Sequence, residues 1–137
     1  MRSLLRFADA VKLSDEECVL LTGESDPEKA AEVLLASGVS CVAVTLGADG
    51  ALLAGKNGRS RVPGFSVQTV DTTGAGDAFW GAFLTRLSEC GERPETLSTE
   101  QLRDFGTFAC AAASLCVERR GAIPAMPDRA AVEARML

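Results

Sequence analysis

Gly74, Ala75 and Gly76 stand directly before an aspartate, Asp77, and a nearly all-apolar run follows it. Small residues at the start of a helix leave several backbone N–H groups pointing at one spot, where the helix dipole is positive. Such a spot holds a phosphate or another anion. Asp77 falls in the first turn of the same helix, so its carboxylate lies close to that anion and repels it. A fold tolerates this conflict more readily when the carboxylate has a task. The task that fits is taking the proton from a hydroxyl that attacks a phosphoryl group. The bland alternative is that Asp77 only favours the helix N-terminus electrostatically.

Two other glycine readings fail on their own terms. Gly74 and Gly76 would open a GxGxxG dinucleotide fingerprint, but its last position is Phe79. The run Gly50 to Asn57 imitates a phosphate loop up to Lys56, yet Asn57 follows where serine or threonine is needed. It reads instead as a hairpin that turns at Lys56-Asn57-Gly58.

The elements that must carry these residues follow from periodicity and caps. ADAVKL reads as a short buried strand ending near Leu13. Ser14 and Glu17 then form a capping box, and Gly23 stops the helix. A second helix starts at Asp26-Pro27, with an apolar face of Ala31, Val33, Leu34 and Leu35, and ends at Gly38. VSCVAVTLG is a β-branched apolar run and reads as a buried strand. Long apolar helices are expected over about 75–90 and 99–119, with a last helix from near Asp128. Strand, helix, buried strand indicates a parallel α/β core.

Composition narrows the class. The chain has 137 residues, 47% of them apolar, enough for one domain with a real core. A net charge of −5 excludes nucleic acid as the main partner. No apolar run reaches membrane-spanning length and no signal-peptide pattern opens the chain, so a cytoplasmic protein is expected. Five cysteines without a CxxC pair read as buried reduced thiols. The chain contains no histidine, which removes the commonest general base and leaves acid–base chemistry to carboxylates, lysines and cysteines.

The stretch DTTGAGDAFWGAF, from Asp71 to Phe83, resembles the C-terminal signature of the ribokinase family of sugar kinases, also called the PfkB carbohydrate kinases. The resemblance implies that Asp77 is the catalytic base and that Gly74, Ala75 and Gly76 form the anion hole. VKLSDEECVLLTG is similar to the family's NxxE region, with Ser14 at the asparagine position and Glu17 as the acid that organises magnesium through water. AVTLGADGALL resembles the strand and turn beside ATP, which puts Thr45, Gly47 and Gly50 on nucleotide positions. FACAAASLCVERRGAIPAMP resembles the segment that covers adenine, with Cys110 at the base. That segment then loops round a monovalent cation, potassium in family members that need one. Carbonyls of Cys116, Arg119 and Gly121 would join Asp71 and the Thr73 carbonyl there, while Ala125 stands where some ribokinases add a serine.

The implied fold is the ribokinase-like three-layer α/β/α fold with a mainly parallel sheet, of which this chain resembles the C-terminal half. The implied reaction is transfer of the ATP γ-phosphate to a sugar, with the subgroup most like fructokinases and D-fructose as acceptor. The sugar-binding aspartate, the Gly-Gly turn and the β-sheet lid of the family's N-terminal half have no match in the sequence. A homo-oligomer, or a partner supplying that half, is therefore expected. The alternative is a truncated, non-catalytic ATP-binding module or interaction domain.

Overall fold

The computed structural model describes residues 2–137. A 3-10 segment, Arg2–Phe7, precedes strand β1 (Ala10–Ser14). Helices α1 (Asp15–Thr22) and α2 (Pro27–Ala36) cross over to β2 (Cys41–Thr45), and the hairpin β3 (Ala51–Gly55) and β4 (Gly58–Val62) follows. An extended segment then leads to α3 (Ala75–Cys90), α4 (Thr99–Val117) and α5 (Arg129–Met136).

Local chemistry accounts for most boundaries. Ser14 Oγ accepts the Glu17 N–H at 3.2 Å and Glu17 Oε2 accepts the Ser14 N–H at 2.8 Å, which starts α1. Asp26 and Pro27 start α2, although the helix closes on Ser37 rather than Gly38. Ser98 and Gln101 form a second capping box at α4, which ends at Val117, two residues short of the expected Arg119. Asp128 caps α5 by accepting the Ala131 N–H at 2.8 Å.

The sheet order is β1-β2-β3-β4. β1 and β2 run parallel because two helices separate them, while β2–β3 and β3–β4 are antiparallel. The parallel pairing expected from the sequence therefore holds for β1–β2, and the tight connections after it make the rest of this sheet antiparallel. Alternation splits the core into two faces. Val42, Val44, Leu52 and Ala54 pack under α1 and α2 with Ala30, Ala31 and Leu34. Cys41, Ala43, Ala51 and Leu53 pack under α3 and α4 with Phe79, Phe83 and Phe105. The result is helix layers on both faces of one sheet.

Two details depart from the sequence pattern. Val33, assigned to the buried face of α2, is 39% exposed, and Ala30 takes its place in the core. In β1 only Leu13 is fully buried, because this strand forms one margin of the sheet.

Candidate functional site

The carboxyl ends of β1 and β2 lie side by side, with Ser14 opposite Thr45 in register. In open α/β sheets, ligands bind beyond these ends. Here the turn after β2, the start of α3 and the last half of α4 enclose a cavity of about 480 Å³. Thr45, Gly47, Gly50 and Cys110, the four residues assigned to the nucleotide, all line it. Ala75 and Gly76 line it as well, so the first turn of α3 opens toward the same space.

Glycines make one wall. A Cβ on Gly50, whose φ is +95°, would strike the Val62 carbonyl oxygen, and a Cβ on Gly64 would strike the Ala48 carbonyl oxygen. The two backbones cross too closely for side chains. Gly74 caps α3 with a φ of +84°, and a Cβ there would lie 2.9 Å from both Cα and Cβ of Ala122. Gly74 therefore sets the loop's shape from behind rather than lining the cavity.

Asp77 is exposed and borders a second cavity of about 280 Å³ on the flank of α3, with Gly81, Thr85, Met126 and Arg129. Helical rotation separates it from its neighbours: Ala75 and Gly76 face one cavity and Asp77 the next. No hydrogen bond or ion pair from the described residues involves its carboxylate, whereas most other charges of α3 and α5 are paired, as Arg129 is with Glu89 and Glu133.

The residues assigned to a monovalent cation are tied together by hydrogen bonds, Gly121 and Arg119 through their N–H groups rather than their carbonyls. Asp71 Oδ2 accepts the Gly121 N–H and Oδ1 accepts the Thr73 N–H, each at 2.9 Å. These N–H groups, Gly121 first, lower the Asp71 carboxyl from 3.8 to about 2. The Cys116 thiol donates to the Thr73 carbonyl at 3.7 Å, and the Cys116 carbonyl accepts the Arg119 N–H at 3.3 Å. The Val117 carbonyl receives the N–H groups of Val70 and Asp71 at 2.7 and 3.1 Å. One clamp thus ties the strand before the glycine loop to the end of α4. Among the described residues, no cluster of three or more His, Cys, Asp or Glu side chains is gathered to bind a metal directly.

Glu17 does not line the large cavity; its carboxylate is held in the α1 capping box, at the carboxyl end of β1. Burial pushes the Cys110 thiol up to about 12, so it meets the cavity as a neutral group. Sequence reading passed over Ser114 and Val117, although their spacing from Cys110 and Ala113 on α4 follows one helix face. It also passed over Gly64–Thr69, a segment without periodicity that nonetheless lines the cavity.

Known proteins share this fold. Residues 1–129 match the description pfkB family carbohydrate kinase. The chain is 39% identical over 132 residues to Fructokinase-2 of Oryza sativa subsp. japonica, covering 96% of this chain and 39% of that protein. A fructokinase from Vibrio cholerae O395, solved with fructose, ADP and calcium ion, superposes with a TM-score of 0.87 at 36% identity, over 98% of this chain and 43% of that one. A ribokinase from Thermotoga maritima gives a TM-score of 0.83 at 40% identity, over 99% and 44%. The chain thus spans about two fifths of the length of the relatives it matches. With a family match across nearly all its residues and the α/β/α layering of these neighbours, it belongs to the pfkB carbohydrate kinase family, with a ribokinase-like fold.

Proposed function

We propose that this chain is the nucleotide-binding and phosphoryl-transfer part of an ATP-dependent sugar kinase of the fructokinase type, acting on D-fructose or a close relative. The observation that carries it is a cavity and a carboxylate on successive faces of the same helix turn. The cavity beyond β1 and β2 gathers Thr45, Gly47, Gly50 and Cys110, and the opening turn of α3 faces it with Ala75 and Gly76. The next residue, Asp77, is an exposed carboxylate with no described partner.

In this reading the acceptor hydroxyl attacks the γ-phosphorus as its proton passes to Asp77. The bond from that phosphorus to the bridging oxygen breaks, and ADP leaves with the electron pair. The Gly76 N–H at the cavity wall holds the charge that develops on the phosphoryl oxygens, with the Ala75 N–H, which donates to the Thr72 carbonyl at 3.2 Å, beside it and Gly74 shaping the turn from behind. The clamp through Asp71 and Gly121 keeps those groups aimed. Magnesium, when bound, would neutralise charge on the nucleotide phosphates; Glu17, exposed and one helical turn past the carboxyl end of β1, suits contact through water. The Thr73 and Cys116 carbonyls, each accepting one hydrogen bond, keep a second lone pair for a large monovalent cation, with Asp71 and the carbonyls of Arg119 and Gly121 as its further ligands.

The test is ADP release from ATP with magnesium, potassium and a panel of sugars. Sugar-dependent release is expected, and Asp77→Asn should lower it by about 10²–10⁴-fold. Unchanged turnover in Asp77→Asn would remove the assignment of the base. The span of only two fifths of its relatives favours a second reading, in which this chain binds ATP but needs the remainder of a kinase for turnover. ATP raising the melting temperature without ADP release would select that reading.

A further inference from the structure

The strand β1 alternates, and this fixes where Lys12 points. Leu13 is fully buried under α1 and α2. Lys12, one residue earlier, therefore faces the opposite layer. Its register partner Ala43 packs there with Phe79 of α3. An ammonium group is an unusual occupant for a strand position under helices, and Lys12 is half-buried. Among the described residues it forms no ion pair; the salt bridges all belong to arginines.

Its Nζ lies 2.9 Å from the point a Cβ on Gly76 would occupy. Gly76, unlike Gly74, has no positive φ, so its backbone would accept any residue. What its missing side chain preserves is room for this ammonium. The place is electrostatically unfavourable for a lone cation, because the first turn of a helix is already positive. Two positive groups from different elements brought this close favour an anion beside them. The position along the chain says which part of the anion. Gly76 adjoins Asp77, and the group undergoing attack must lie next to the base.

We propose that Lys12 is a further catalytic residue, its ammonium contacting the non-bridging oxygens of the terminal phosphoryl group of bound ATP at Gly76. The inference rests on the kinase reading above and deepens it. Lys12 forms no covalent bond in the transfer. It offsets the repulsion that Asp77 brings to the phosphoryl group and follows the charge as the phosphorus moves toward the acceptor.

Calorimetric titration of the chain with magnesium–ADP and with the non-hydrolysable β,γ-imido analogue of ATP tests this. Lys12→Met should weaken the triphosphate analogue about tenfold and leave ADP within about twofold, as expected for loss of one charge-assisted hydrogen bond. Gly76→Ala, which moves the ammonium without altering its charge, should reproduce that selectivity and decides the matter if Lys12→Met fails to fold. Equal losses for both nucleotides, or none, would overturn the proposal. If the unaltered chain binds neither nucleotide, the kinase reading fails, and the role of Lys12 fails with it.

Discussion

Asp71 is a carboxylate near the surface whose two oxygens are both committed to backbone N–H groups, one on each side of the clamp. Its folded-state carboxyl is depressed from 3.8 to about 2. A depressed carboxyl stabilises the fold fully above its unfolded value, and that contribution disappears as pH falls. The loss therefore belongs to the window from about pH 4 down to about pH 2. Asp71→Asn should melt at a lower temperature than the parent at pH 7, since one amide N–H₂ must face a backbone donor. The gap between the two melting curves should close on acidification through that window. A gap that persists unchanged below pH 2 would show that the charge of Asp71 is not what holds the clamp.

At the scale of elements, α4 lies against β3 because Gly106 has no side chain. A Cβ there would collide with the Leu53 side chain and approach Val62 Cγ2 to 3.2 Å. Gly106→Ala gains helix propensity but overpacks this seam, and the net effect expected is a loss of about 1–3 kcal/mol in urea unfolding. A stabilised variant would mean that Leu53 yields without cost. The same seam explains what was legible in the sequence. Helix starts are written in three or four neighbouring residues, so Ser14 with Glu17, and Asp26 with Pro27, announced α1 and α2 directly. The hairpin and the glycine loop were equally local. Val33 was misplaced because apolar character alone does not say which edge of a stripe meets the sheet. The segment Gly64–Thr69 was invisible for a different reason: its path is set by the close crossing with residues 48–50, a contact between distant parts of the chain. The nucleotide positions came through resemblance, since a lone turn glycine such as Gly47 carries no chemistry by itself.

At the scale of the molecule, β1 pairs with β2 on one side and with no described strand on the other. An open edge of this kind invites another strand. No helix of the described residues is long and apolar enough to cross a membrane. Given a span of two fifths of its relatives, the expected occupant is the remainder of a full-length kinase or, in its absence, a second copy. Sedimentation across a range of concentrations should therefore reveal self-association of this chain alone, and a pure monomer that binds no apolar dye would count against it. The close crossing of Gly50 and Gly64 has a consequence on a longer timescale. Where two backbones touch, a wall of the cavity is made of atoms that every amino acid shares, and single mutations have no gradual way to reshape it: a substitution at either glycine is either harmful or absent. Drift in such a lineage is steered to the other walls, so the rest of the lining can diverge while this wall of the cavity stays as it was.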